Sequence, residues 1–90
     1  MIILPCLGRT EVDMQASGPQ FVTVENSMGI VHKSEGRLKP ASGELRSEPW
    51  IIAELATHTL AGSSVDFRKL AQNYDSIRTL IADCVDGFEN

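Results

Sequence analysis

The 90-residue chain has few of the features that mark several large classes of protein. Lys and Arg number 8 against 12 Asp and Glu and are scattered along the chain, which argues against nucleic-acid binding. No apolar run approaches the ~20 residues that cross a bilayer. The apolar amino end lacks a preceding basic region and stops at Pro5, which argues against a signal peptide. The sequence therefore predicts a cytoplasmic protein of one domain at most, with no nucleic-acid or membrane partner.

Cysteine is also scarce, with Cys6 and Cys84 at opposite ends of the chain. Two cysteines are not a disulfide framework. We therefore favour two reduced thiols, with a single bridge across the long loop as the alternative. A metal site built from both cysteines and the two histidines, His32 and His58, would need chelating spacings such as C-x-x-C or H-x-x-x-H. None is present, so the sequence predicts no metal ligands.

The amino-terminal half contains short strand-like segments separated by turns. Residues 2–4 (IIL) are an apolar run stopped by a proline, typical of a buried strand in a sheet covered on both faces, and they suggest a sheet that has been cut. Residues 6–19 are polar and punctuated by glycine and proline, which predicts a loop. Residues 20–25 (QFVTVE) and 28–33 (MGIVHK) predict two strands that pair across a turn at Asn26 and Ser27.

A long arm with little regular pattern occupies residues 25–46. Ordering its backbone costs roughly 1–2 kcal/mol per residue. Partly buried side chains return roughly 1.5–3 kcal/mol each, and the arm has only five large apolar ones in 22 positions. We therefore expect the arm either to be mobile or to be ordered by contacts with something outside this chain.

A first helix is predicted after Ser47, a good N-cap that is followed by an acidic residue and a proline in the first turn. Gly62 is placed to end this helix. Its inward face is predicted from apolar spacing at i, i+3, i+4 and i+7. The residues of that face are Ile52, Leu55, Ala56 and Thr59.

Two further helices are predicted, one from Ser64 and one capped near Asp75 and closed by Gly87. With short strands or a hairpin before them, they indicate an α+β fold with about three helices in the carboxyl-terminal half, as part of a larger α/β domain. The predicted inward residues are Phe67, Leu70 and Ala71 in the second helix, and Ile77, Leu80, Ile81, Cys84 and Val85 in the third.

No side chain predicts a reaction by itself, so we assign no catalytic residue. Glu11 and Asp13 lie two apart in a loop, and we favour solvated acids over a catalytic pair. His32 could carry protons or contact a phosphate, but a surface histidine is favoured. His58 is expected to be solvated, and Trp50 is expected to be a packing anchor.

The order of these segments resembles a stretch of the molybdopterin-dependent oxidoreductases, especially the formate-dehydrogenase-like alpha subunits. There a strand ending in (V/I)LP leads to an acidic residue, a turn with a central Asn, a link with Pro and Gly, and a helix with Trp, Ile-Ile and Leu-Ala. One departure is that Met28, Gly29 and Ile30 stand where the wider family often has a Glu-Arg-Arg run. The similar positions are Ile3-Leu4-Pro5, Glu11, Asn26-Ser27, Lys39-Pro40, Pro49-Trp50-Ile51-Ile52 and Leu55-Ala56.

The resemblance implies a parent subunit of several hundred residues. Such a subunit holds molybdenum or tungsten between two molybdopterin guanine dinucleotides, often with an iron–sulfur cluster, and moves two electrons to or from a small substrate such as formate. Residues 1–90 would then be one internal fragment, with a strand and extended arm (1–46) and a helical part (47–88). Asn26 and Ser27 would lie near the cofactor and substrate funnel.

The same resemblance implies that the fragment holds no cofactor of its own, is inactive by itself, and has the remainder of the parent subunit as its partner. An exposed sheet edge would also invite self-association of the isolated fragment. The alternative is a small self-standing module without catalysis, whose helices recognise a protein partner.

Overall fold

The computed structural model describes residues 1–89. Short strands come first and helices follow, so the fold is α+β, as the sequence predicts. The elements are β1 (Met14–Gln15), β2 (Gly18–Pro19), β3 (Val22–Glu25), β4 (Val31–Ser34), α1 (Glu48–Thr59), α2 (Phe67–Gln72) and α3 (Tyr74–Cys84).

The strands form two separate antiparallel pairs, β1 with β2 and β3 with β4. The β3–β4 hairpin confirms the predicted pairing, with Val22 opposite Ser34 and Glu25 opposite Val31. The β1–β2 hairpin falls where the sequence predicts a loop, so that prediction is wrong there. Its two-residue strands are too short to show alternation, and Gly18, the first residue of β2 after the turn, has a positive φ of 115°.

Residues 2–4 do not form the predicted buried strand. Ile2, Ile3 and Leu4 are 89%, 71% and 56% exposed, and the described residues provide no strand beside them. A strand is stable only when a neighbour pairs with its backbone N–H and C=O groups. The run therefore lies uncovered on the surface.

Residues 35–46 lack regular structure but are held by the chain itself. Leu38 N donates to Thr10 O at 2.9 Å, and Leu7 N donates to Arg46 O at 2.9 Å. The expectation that this part of the arm would be mobile, or ordered by outside contacts, is therefore wrong for its backbone. It pairs with the segment before β1, which the sequence shows only as loop.

Helix α1 begins as predicted but ends before the predicted glycine. Ser47 is the N-cap, and its Oγ accepts a hydrogen bond from Trp50 N at 3.4 Å. Leu60 is the C-cap, and its N–H donates to a carbonyl of the last turn. Gly62 lies in the turn beyond the helix.

The predicted inward face of α1 is wrong except at Ala56, which is half-buried. Ile52 and Leu55 are 62% and 50% exposed and Thr59 is exposed, whereas Ala53 is buried. Helix α2 packs against α1, and burial of the small Ala53 side chain is consistent with a close approach of the two backbones. Apolar spacing identifies a face but not which neighbour covers it.

Helices α2 and α3 begin at caps that the sequence places slightly wrongly. Asp66 rather than Ser64 caps α2, and Asn73 rather than Asp75 caps α3. Ala71 is buried, and Phe67, Leu70 and Ile77 are half-buried, as predicted. The rest of the predicted inward face of α3 is exposed, because no described element covers it: Leu80, Ile81, Cys84 and Val85.

Candidate functional site

Asn26 and Ser27, predicted to lie near a cofactor, begin the turn of the β3–β4 hairpin. The Oδ1 atom of Asn26 accepts hydrogen bonds from Met28 N at 2.9 Å and from Ile30 N at 3.1 Å. A positive φ of 76° at Gly29 lets the chain turn back. The Asn26 side chain therefore stabilises the turn through these two hydrogen bonds.

The nitrogen end of the same side chain meets His32, with Asn26 Nδ2 3.0 Å from His32 Nε2. An amide nitrogen only donates, so Nε2 is the acceptor and the neutral His32 ring carries its proton on Nδ1. His32 is exposed, as predicted, and so is Ser27. Two side-chain groups of Asn26 and Ser27 suit a polar ligand. They are the second N–H of the Asn26 amide and the Ser27 hydroxyl.

The hairpin turn does not by itself form a cradle for a pterin dinucleotide. Phosphate groups favour positive charge and converging N–H donors. Lys33, the cation of strand β4, is paired with Glu35 at 3.0 Å and lies over the Phe21 ring at 4.6 Å from its centroid. These residues do not fit the role of principal cofactor ligands.

Residues 1–89 contain no group of three His, Cys, Asp or Glu side chains arranged to hold a metal ion. Cys6 and Cys84 are free and exposed thiols. His58 is exposed, as predicted, and its Nε2 lies 3.7 Å from the carboxylate of Glu54. Within the same residues, none of the helices has the length and apolar character needed to span a membrane.

Glu11, predicted to be a solvated acid, is partly exposed, and its carboxylate also joins two loops. Its carboxylate accepts hydrogen bonds from Gly8 N and Ala41 N, both at 2.6 Å. These two N–H groups lower the pKa of Glu11 because they stabilise its charged form. The backbone of Glu11 also packs against Gly36, where an added Cβ would lie 1.9 Å from the Glu11 carbonyl oxygen.

Asp13 is likewise engaged, in a polar cluster around a buried tyrosine. Tyr74, 3% exposed, donates its hydroxyl to Asp13 Oδ2 and lies 2.7 Å from Ser47 Oγ. Gln15 Nε2 donates to the other Asp13 oxygen at 2.7 Å. Burial and, after it, the hydrogen bond to Asp13 raise the pKa of Tyr74. The cluster therefore holds a protonated phenol beside the N-cap of α1.

A second polar link joins the β1–β2 hairpin to the start of α3. Gln20, which is buried, accepts a hydrogen bond from Tyr74 N at 2.9 Å and donates to Ser17 Oγ at 2.7 Å. Ser17 Oγ in turn donates to Gln72 O at 2.8 Å. Every buried side-chain nitrogen and oxygen among the described residues has a hydrogen-bond partner. The arrangement is that of a scaffold, since none of these groups is left available for a substrate.

An open groove of about 820 Å³ lies between the β3–β4 hairpin and the helices. Two of its acidic lining residues, Glu11 and Asp13, are already hydrogen-bonded as described above. The rest of the lining is largely apolar, which favours a segment of protein over a charged small molecule. The apolar residues that define this groove are Leu7, Val22, Val24, Ile52, Phe67 and Leu70.

A smaller hollow of about 400 Å³ is lined in part by Trp50. The guanidinium of Arg46 lies 5.5 Å from the centre of the Trp50 ring, within cation–π distance. Trp50 is half-buried, so it packs against the arm, in agreement with the predicted anchor role.

Sequence reasoning missed Tyr74 and Gln20, the two residues that join the halves of the chain. A signal existed for Tyr74, because a buried tyrosine hydroxyl usually has a hydrogen-bond partner. The partner lies 61 positions earlier and has no local mark. Gln20 has no such signal, since glutamine is mostly exposed in proteins.

The chain is similar to parts of much longer proteins. It is 43% identical over 90 residues to the uncharacterized oxidoreductase Rv2900c of Mycobacterium tuberculosis, a match that covers 99% of this chain and 12% of the relative. It is 50% identical over 76 residues to Protein YdeP of Escherichia coli, covering 84% of this chain and 10% of the relative. Protein YdeP of Shigella flexneri is 51% identical over the same length.

The chain therefore spans about a tenth of the length of the curated relatives it matches. No family model matches the chain. No solved structure matches it. The mycobacterial relative is named as an oxidoreductase, which specifies neither a cofactor nor a substrate, and the name Protein YdeP states no activity.

Proposed function

We propose that the chain is a segment of the alpha subunit of a molybdopterin-dependent, formate-dehydrogenase-like oxidoreductase, and that it is inactive by itself. The observation that carries the proposal is the match of 99% of the chain to one stretch of a protein named as an oxidoreductase. The order of the motifs from Ile3-Leu4-Pro5 to Leu55-Ala56 points to the molybdopterin type.

The small core supports the assignment to a larger subunit. The buried apolar residues in the described part of the chain are Ala53, Ala71 and Tyr74. Eighteen large apolar side chains are exposed, including those of the groove rim at Val22 and Ile52. Surfaces of this kind mark places where other protein packs.

In such a subunit, this chain would support the region of the cofactor and substrate funnel through the β3–β4 turn. Asn26 fixes the turn because its side-chain Oδ1 accepts hydrogen bonds from Met28 N and Ile30 N, and Ser27 is exposed on the same turn. The contribution of these residues is to position the funnel wall. The two-electron chemistry would belong to other parts of the subunit.

The test begins with the reading frame that encodes the chain, extended in both directions and expressed in full. Molybdenum and tungsten are measured by mass spectrometry, and pterin by fluorescence after oxidation. One metal and two pterins per subunit would support the proposal. A full-length product without pterin would overturn it.

A separate pair of variants tests whether Ser27 lies near the substrate funnel. In the full-length product, Ser27→Ala is expected to lower the rate of substrate oxidation, while Ser64→Ala, an exposed serine in the segment before α2, leaves it unchanged. Equal rates with metal retained would show that the turn does not border the funnel, and the family assignment would stand.

A self-standing interaction module is the second candidate. It is favoured by the exposed apolar pair on α1, Ile52 and Leu55, which are 62% and 50% exposed. Stop codons close to both ends of the encoding frame would favour this module, whereas continued coding favours the oxidoreductase segment.

A further inference from the structure

The floor of the groove is the apolar core of the chain. Ala53 and Ala71, which are buried, both line it. Among the described residues no large apolar side chain is fully buried, and Ile52, which also lines the groove, is 62% exposed. In a folded domain the apolar face of one layer packs against a second layer. The groove is therefore an open side of the core.

The groove runs along an edge of strand β3. Val22, Thr23 and Val24, three consecutive residues, line it. Successive side chains of a strand point to opposite faces of the sheet, so a groove that borders all three follows the strand edge rather than one face. Of the described residues of β4, only Ser34 lines the groove. This edge is therefore the one that faces away from β4.

The backbone N–H and C=O of Thr23 point toward that edge. Asn26 N donates to Ile30 O at 3.0 Å, so these two residues form a hydrogen-bonded pair at the end of the hairpin. Bonded and non-bonded pairs alternate along antiparallel strands. Thr23, opposite Lys33, is three positions from Asn26 and therefore belongs to a non-bonded pair. Within residues 1–89, β3 pairs only with β4.

The two edges of the hairpin differ in how well they are protected from another strand. Lys33 of β4 carries a charge, and lysine on an edge strand discourages pairing. Residues 22–24 of β3 are uncharged and β-branched, the composition that favours pairing. A hairpin of two strands is marginal by itself, and a third strand stabilises it. The open edge of β3 therefore suits a third strand whose apolar side chains cover the groove.

A strand from the same protein chain has an advantage over one from another molecule. The match to Rv2900c covers 12% of that relative, which leaves 88% of it outside the match. A strand in the same chain pairs at a high effective concentration and without the loss of translational freedom that a separate molecule incurs. The remainder of a longer chain is therefore favoured over a second copy as the occupant of the groove.

We infer that, in the full-length protein, a strand from outside these 90 residues pairs with the open edge of β3 and lies in the groove. Its backbone accepts the Thr23 N–H and donates to the Thr23 carbonyl, and its apolar side chains cover Ile52, Ala53 and Ala71. This pairing rests on the proposed function only in that the chain is a segment of a longer subunit. It requires no particular cofactor.

The first measurement places a photoreactive residue in the groove of the full-length product. Ile52→p-benzoylphenylalanine bonds covalently, on irradiation, to a group that lies against it. His58→p-benzoylphenylalanine is the matched control, because His58 is exposed on the same helix but does not line the groove. Denaturing electrophoresis gives the mass of the product, and mass spectrometry of its digest identifies the attached peptide.

We expect the Ile52 variant to cross-link at the mass of a single chain, to a peptide from outside these 90 residues, and the His58 control to give little of that product. A product of twice the chain mass would assign the groove to a second copy and overturn the inference. So would a peptide of another protein, a cross-link confined to residues 1–90, no cross-link, or equal cross-linking of the control. A reading frame that stops close to both ends of the chain would also overturn it.

The second measurement uses the unmodified full-length product, so it does not depend on the folding of a variant. Amide hydrogen exchange is read residue by residue by mass spectrometry with electron-transfer fragmentation. The Thr23 amide, bonded to the added strand, is expected to exchange at least about tenfold more slowly than the Lys33 amide, which faces the other edge of the hairpin. Equal exchange at Thr23 and Lys33 would overturn the inference.

These outcomes are distinguishable from those of the cofactor test. A protected Thr23 amide and a single-chain cross-link, in a product without pterin, would overturn the proposed function and leave the strand pairing in place. Metal and pterin in a product whose Thr23 amide exchanges as fast as that of Lys33 would do the reverse.

Discussion

The hydroxyl of Tyr74 donates a hydrogen bond to the carboxylate of Asp13, which lies 61 positions earlier in the chain. The same hydroxyl lies 2.7 Å from Ser47 Oγ, so the segment before β1, the start of α1 and the start of α3 meet at one point. Few side chains are buried. This polar junction therefore has a larger share in holding the halves together than it would in a domain with a full apolar core.

Replacement of Tyr74 by Phe removes the hydroxyl but keeps the ring. We expect the free energy of unfolding to fall by about 1–3 kcal/mol, because Asp13 and Ser47 lose a partner in a part-buried place. Urea denaturation followed by circular dichroism measures the change, with the exposed Ser64→Ala as control. A loss no larger than that of the control would show that the junction is energetically neutral.

The loss of folding stability at high pH should depend on Tyr74. The pKa of Tyr74 is raised above its ordinary value of 10.0 by burial first and by Asp13 second, so the folded state keeps the phenol proton after the unfolded state has lost it. Stability is unaffected below pH 10.0 and falls as pH rises from there toward the folded pKa.

Tyr74 is the one tyrosine of the chain, so the phenolate absorbance of the native protein reports this group alone. We expect the native titration to lie above that of the urea-unfolded chain. In Tyr74→Phe, the contribution of this group to the alkaline loss of stability should vanish. Coincident titrations of the native and unfolded chains would contradict the raised pKa.

Gly36 should not tolerate a side chain. A Cβ there would lie 1.9 Å from the Glu11 carbonyl oxygen, so the backbone between residues 35–46 and Glu11 must separate in Gly36→Ala. Gly43→Ala is the matched control, because its Cβ meets nothing within 4 Å. We expect a clear drop in melting temperature for the first variant and little change for the second. Equal melting temperatures would mean that the two segments do not pack in this way.

Acid should reduce the stability of the protein by protonating Glu11, whose carboxylate joins the backbone at Gly8 to the backbone at Ala41. Its pKa is lowered from 4.5 by the Gly8 and Ala41 N–H groups, so its contribution to stability is present above 4.5 and is lost as pH falls through the folded pKa. Glu11→Gln should be less stable than the wild type at neutral pH and should lose less on acidification. Stability curves against pH for the two proteins, measured by urea denaturation, check this. Parallel curves would show that the Glu11 charge has no role.

Local signals predicted most of the secondary structure. The cap at Ser47, and the strand composition on both sides of Asn26, are patterns of a few neighbouring residues, and both α1 and the β3–β4 hairpin formed where these patterns lie. The helices after residue 60 were also predicted, with starts displaced by two or three residues. Several polar residues there suit a cap, and only the packed structure shows which one is used.

The sequence by itself determined the α+β order, the first helix cap and the exposure of His32 and His58, because these depend on composition and on neighbours within a few residues. Only the tertiary structure decided which groups meet across the chain. Glu11 and Asp13 link distant segments, because the Ala41 N–H and the Tyr74 hydroxyl lie within hydrogen-bond distance of their carboxylates. It also decided that Ile52 is 62% exposed at the groove, because no described element covers it there. Apolar periodicity marks a face of a helix but does not say what packs on that face.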